Sequence, residues 1–165
     1  MPYVDEMFKL FEQSYSKLPT FVPISDEQVA FFKKKYISFI NPEYIKFVVD
    51  ENHKLVAFSI VMPSFSEALQ KANGKLFPFG IFHLLKARKN SKTALFYLIG
   101  INPDYQNKGV IAPIFSEYHK TFSQKGIENC VITPMLKTNT DMLNAWKPFN
   151  PITHKERCTF KLGIK

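Results

Sequence analysis

The chain has 165 residues and no internal repeat, which fits one domain, and its 45% apolar content, with 17 Phe and 7 Tyr, is enough to bury an aromatic core. A formal charge of +8 suits an anionic partner. Two cysteines are too few for a disulfide framework, and no segment approaches the ~20 apolar residues that a membrane-spanning helix needs. Cys130 and Cys158, both in apolar runs, are expected to be buried thiols in a cytoplasmic protein without a membrane partner.

Residues 5–15 space Met7, Phe8, Leu10, Phe11 and Tyr15 as one face of an amphipathic helix. A loop with two prolines follows over 18–24. Ser25 reads as the cap of a second helix, with Gln28 in the capping-box position. Val29, Phe31, Phe32 and Tyr36 supply its apolar side, and Asn41-Pro42 ends it. Residues 44–49 and 55–62 are strands joined by a hairpin turn over 50–54, and Pro63 stops the second. Residues 66–73 are helical up to Gly74, and 79–89 form another short helix.

The run 93–101 is a strongly apolar strand, broken by Asn102-Pro103-Asp104. A helix opens at Gly109 and runs to about residue 123, with Val110, Ile111, Ile114, Phe115, Tyr118 and Phe122 along its apolar stripe. Gly126 closes it. A short strand over 129–133, a helix over 139–146 stopped by Pro148, and a last strand over 158–162 complete the order. The strand–helix–strand unit over 93–133 calls for parallel strands and the early hairpin for antiparallel ones. The expected fold is therefore α/β, a mixed sheet with helices on its faces.

The segment between the strand ending at Ile101 and the helix after Lys108 carries the chemistry. The first N–H groups of a helix have no internal partner, and with the helix dipole they attract an anion. Gly109 permits close approach of backbone, while Gln106, Asn107 and Lys108 add donors. A diphosphate suits this loop, and a plain solvated turn is the alternative. The densest basic stretch, Lys86, Arg88, Lys89 and Lys92, lacks the interleaved aromatic motif of RNA-binding strands, so a nucleic-acid partner is not expected.

The run Tyr105-Gln106-Asn107-Lys108-Gly109-Val110 resembles the pyrophosphate loop of the GNAT N-acetyltransferase superfamily, Gln/Arg-x-x-Gly-x-Gly/Ala. The hairpin over 48–61 is similar to the family's second and third strands. Asn139-Thr140-Asp141-Met142-Leu143-Asn144-Ala145-Trp146 is similar to its fourth helix. The resemblance covers roughly residues 30–162. It implies a GNAT-like fold with splayed central parallel strands, divided as N-terminal helices 1–43, hairpin 44–62, helical insertion 63–92 and coenzyme A-binding half 93–165. The family's first strand has no counterpart before the first helix. That implies an upstream domain of a longer chain, or a homodimer that pairs across the bare edge.

For acetyl-CoA, or coenzyme A, the resemblance implies pantetheine contacts from the backbone of Ile99, Gly100 and Ile101. It further implies diphosphate contacts from Asn107, Lys108, Gly109 and Val110, a bracing role for Gln106, and a pantetheine hydrogen bond from Asn139. Ile111 stands where the signature has Gly or Ala. Trp146 stands where many members carry a Tyr that protonates the departing thiolate, a task an indole cannot perform.

Acyl transfer also requires a base for the acceptor amine. Glu128 and His83 are the candidates, with Tyr97, Tyr105 and Tyr118 as alternative acids. Phe65, Phe77, Phe79 and Phe82, with Trp146, are expected to line an apolar pocket for acyl group or acceptor. No metal-ligand spacing is present. The expected function is acyl-CoA-dependent transfer of an acetyl group to a small-molecule or peptide amine. The alternatives are a GNAT-like module without catalysis and a basic nucleic-acid-binding domain.

Overall fold

A four-stranded mixed sheet organises the chain, in the order β1 (Ile45–Val49), β2 (Leu55–Pro63), β3 (Thr93–Ile101), β4 (Asn129–Ile132). The computed structural model describes residues 2–19, 21–37, 40–160 and 162. β1 and β2 pair antiparallel, as do β2 and β3, whereas β3 and β4 are parallel. The parallel pair is joined by α5 (Ile111–Lys125), the crossover helix that the sequence requires between them.

β2 is the central strand and is buried along nearly its whole length, with Ala57, Phe58, Ser59 and Val61 fully covered. Such a strand reads as a continuous apolar run because both its faces meet other elements. α1 (Val4–Tyr15) packs against β2 and β3, and α5 against β1 and β2. Met7 and Leu10 are the buried positions of α1, and Ile114 and Tyr118 are the large ones of α5, with Thr121 beside them. Burying each of these large side chains contributes about 1.5–3 kcal/mol. The Tyr118 hydroxyl donates into the core at 3.0 Å from the carbonyls of both Tyr44 and Ser59. Burial pushes its pKa well above the usual tyrosine range, and both of its bonds tie the core together.

Local chemistry accounts for the helix ends. Ser25 and Gln28 form both halves of the expected capping box at the start of α2 (Asp26–Phe32). The chain then widens into a π-helical turn over Lys33–Ile37. Phe31 and Tyr36 lie exposed there, packing on each other and not on the core, contrary to the expected apolar side. α5 ends at Gly126, in the left-handed region at φ 62°, and Ile127 N–H closes the cap on Phe122 O at 3.0 Å. Gly100 lies under Phe58, where an added Cβ would come within 2.3 Å of the ring.

The connection from β2 to β3 holds α3 (Ser66–Lys71) and α4 (Gly80–Asn90), which pack on each other. The chain divides into two compact units, residues 1–133 with all four strands and residues 134–165. In the second unit, Asn139 caps α6 (Thr140–Trp146), its side chain accepting from Met142 N–H at 3.4 Å. Lys137 pairs with Glu156 at 3.0 Å. The strand expected over 158–162 is not formed by its described residues: Phe160 and Leu162 are 95% and 87% exposed, so no apolar face drives pairing there, and Lys161 lies outside the described residues. Cys130 and Cys158 are unpaired but exposed, not buried as expected. No helix among the described residues is long and apolar enough to cross a membrane.

Candidate functional site

Where β4 stops, β3 continues. β4 pairs with β3 only from Thr93 to Phe96. Thr133 makes the last contacts, its N–H to Phe96 O and its hydroxyl to Tyr97 O, both at 3.2 Å. Residue 134 is proline, which has no N–H with which to extend the ladder. Within the unit of residues 1–133, the stretch Leu98–Ile101 therefore has a strand neighbour on the β2 side alone.

The register fixes which groups face the opened edge. Asn102 N–H donates to Val56 O at 2.9 Å, so the hydrogen-bonded pairs with β2 fall on Asn102, Gly100 and Leu98. Ile99 and Ile101 turn their N–H and C=O groups the other way. A bulge at Tyr97, between Phe96 and Leu98 in the β2 register, produces this phase. Both outward carbonyls are met by α1: Tyr15 Oη donates to Ile99 O at 2.9 Å, and Ser14 Oγ shares its hydrogen between Leu10 O of its own helix at 2.7 Å and Ile101 O at 2.9 Å. Burial pushes the Tyr15 phenol up, which keeps it a donor. What the edge offers a ligand is thus the N–H groups of Ile99 and Ile101.

The loop beyond Ile101 is built by its own side chains. Asn102 is buried and accepts from Asp104 N–H at 3.0 Å, opening a 3-10 turn over Pro103–Tyr105. The Tyr105 hydroxyl donates to Asp50 Oδ2 at 3.1 Å. Asp50 in turn organises the β1–β2 turn by accepting from Asn52 and Lys54 N–H at 3.0 and 2.9 Å. These bonds, led by that from Lys54, hold the Asp50 carboxyl below the usual aspartate range, while the Asp50 bond raises Tyr105. Lys108 lies over the Tyr105 ring at 5.4 Å.

Asn107 and Gly109 both take left-handed backbone, at φ 60° and 73°. Alternation of this kind turns successive N–H groups toward one side. α5 consequently begins at Ile111, two residues later than expected, with Val110 as its cap. Its start has no side-chain cap and no acidic residue in the first turn. Gln106, Asn107, Lys108 and Gly109 are exposed, Ile111 is half-buried, and an added Cβ at Gly109 would meet nothing within 4 Å. Loop and helix start form an exposed, donor-rich stretch that carries the Lys108 cation, chemistry suited to a phosphate group.

The expected catalytic residues are not gathered here. Glu128 is ion-paired with Lys92 at 3.3 Å, at the paired end of β3 and β4, about 10 Å along the strand from the opening. His83 is half-buried on α4, which packs on α3 and β2. Tyr97 alone stands at the bulge where β4 departs, with its side chain about half exposed. The four phenylalanines do not surround an enclosed pocket: Phe77, Phe79 and Phe82 are 76%, 71% and 64% exposed, and Phe65 is half-buried at the start of α3. Asn139 and Trp146 belong to the second unit, where Trp146 is buried with Phe149 beside it. Among the described residues no group of three or more His, Cys, Asp or Glu could hold a metal ion. Sequence reasoning did not find Ser14, Tyr15 or Asp50, whose roles arise only when distant segments meet.

No protein-family model matches the chain. Protein YghO of Escherichia coli (strain K12) is 28% identical over 142 residues, covering 82% of this chain and 36% of that protein, so the chain spans about a third of its relative's length. An N-acetyltransferase from Staphylococcus aureus Mu50 superposes with a TM-score of 0.58 at 14% identity, over 90% of this chain and 76% of that one. An aminoglycoside acetyltransferase from an uncultured soil metagenomic sample, solved with sisomicin, gives 0.55 at 15% identity, over 99% and 90%. With its bulged third strand, its parted parallel pair and its donor-rich loop, the chain has the fold of the GNAT N-acetyltransferases.

Proposed function

We infer that the chain is an acyl-CoA-dependent N-acyltransferase that moves an acetyl group from acetyl-CoA to the amine of a small-molecule or peptide acceptor. The observation that carries this reading is the juxtaposition of two outward N–H groups, on Ile99 and Ile101, with an uncapped, acid-free helix start after Gly109. The residues fit the cofactor, because open space lies over Gly109 and the nearby Asp50 carboxylate is engaged by its own turn. When bound, acetyl-CoA supplies an activated acyl thioester.

In this reading the N–H groups of Asn107, Gly109 and Val110 hold the diphosphate, and Lys108 adds a positive charge beside it. Ile99 and Ile101 N–H align the pantetheine arm and polarise the carbonyl that the amine attacks. Asn139 and Gln106 remain proposed cofactor contacts. Tyr97, at the bulge, is the favoured proton carrier, ahead of His83 and the ion-paired Glu128. An acceptor of the size of an aminoglycoside accords with the metagenomic enzyme solved with sisomicin.

Calorimetry with acetyl-CoA tests the reading. Binding is expected in the native chain and is expected to weaken on the order of tenfold in Lys108→Glu, which reverses an exposed charge beside the diphosphate. The same samples are assayed for thiol release against a panel of amines. Absence of any acetyl-CoA binding would sink the proposal. Binding without thiol release from any amine would favour the non-catalytic module, a reading supported by the lack of a carboxylate on Leu98–Ile101.

A further inference from the structure

The β2–β3 connection carries a second surface, built from residues outside the opened edge of β3 and the loop after it. Phe77, Phe79 and Phe82 stand largely in solvent, and Leu76, Ile81 and Leu85 are also exposed. On α4 the buried or half-buried positions are Gly80, His83, Leu84, Ala87 and Arg88, so the opposite face is the solvent face. That face is graded along the helix. Ile81, Phe82 and Leu85 occupy its first half, and Lys86 and Lys89 its second. Six exposed large apolar side chains within ten residues are a signal of an interaction surface.

Charge selects the occupant. From residue 68 to residue 103 the sequence contains no Asp or Glu, but six Lys and Arg. Lys71 and Lys92 are ion-paired with Glu67 and Glu128, whereas no carboxylate among the described residues pairs with Lys75, Lys86 or Lys89. A two-fold contact between two copies through this face would bring the lysines either against one another or over the partner's apolar half, and in neither case does the face carry an acid to offset them. An anionic bilayer surface takes both halves: the aromatic side chains enter the interface while the lysines meet lipid phosphate.

We propose that the 75–89 surface docks on anionic membranes, with Phe77, Phe79 and Phe82 inserted at the headgroup level and Lys75, Lys86 and Lys89 on the lipid charge. Such a surface lies on a bilayer without crossing it, so it needs no spanning helix. The proposal is independent of the acyltransferase reading, because it uses neither the opened edge of β3 nor the loop after it.

Co-sedimentation with vesicles tests it, using phosphatidylcholine alone and phosphatidylcholine mixed with phosphatidylglycerol. The chain is expected to bind the mixed vesicles and not the neutral ones. Two double variants, Phe77→Ser with Phe79→Ser and Lys86→Glu with Lys89→Glu, are each expected to lower binding on the order of tenfold or more. All four positions are solvent-exposed, so melting temperature and acetyl-CoA binding are expected to be unchanged and report that the fold is intact. Binding to neither vesicle, or equal binding to both, overturns the proposal. A dimer in lipid-free solution that Phe77→Ser with Phe79→Ser converts to monomer also overturns it, because the face would then be a self-contact.

Discussion

Gly100 shows how one residue ties core to site. It sits in β3 between the two outward N–H groups, and it is glycine because Phe58 of the central strand fills the space where a side chain would stand. Gly100→Ala is expected to lose about 1–3 kcal/mol in urea denaturation, the usual cost of overpacking. Adding Phe58→Leu relieves the collision, and a double-mutant cycle should return a favourable coupling between the two sites. If Gly100→Ala unfolds like the native chain, the packing is looser than the geometry implies.

Among the elements, the β1–β2 turn matters to the loop that follows β3. Asp50 shapes its own turn and holds Tyr105 through one further bond, so a hairpin some 55 residues away steadies the loop proposed to hold the diphosphate. Asp50→Ala is expected to raise KM for acetyl-CoA on the order of threefold while leaving kcat nearly unchanged, since it loosens binding and not the reacting groups. Folding holds the Asp50 carboxyl below its ordinary pKa, so its contribution is present above the usual aspartate range and is lost as pH falls through the lowered value. The loop's composition was legible in the sequence because Gln106 to Val110 are neighbours in the chain, and the strand and helix periods around it were long. The left-handed turns at Asn107 and Gly109, which delay α5 to Ile111, follow from no periodicity. The α1 partners of the β3 edge were equally hidden: Tyr15 reads as one more apolar residue, and its bond to Ile99 spans 84 positions. The exposure of the phenylalanines was hidden for a related reason, since hydrophobicity marks a surface to be covered without saying whether the cover belongs to the same chain.

For the whole molecule, a charge of +8 sets the ionic-strength response. Affinity for acetyl-CoA is expected to fall several-fold as salt is raised from a Debye length of about 30 Å to one of about 8 Å. An affinity measured by calorimetry that stays flat across that series would place recognition in the pantetheine arm and not in the phosphates. A last consequence concerns how the molecule keeps to itself. An exposed strand normally offers alternating hydrogens and lone pairs, a template on which any extended chain can lie. Here the Ser14 and Tyr15 hydroxyls already approach the two outward carbonyls beyond Tyr97, so an intruding strand would have to compete for them. A ligand that asks only for hydrogens meets no such barrier, and the two hydroxyls leave the edge a poorer template for a second strand.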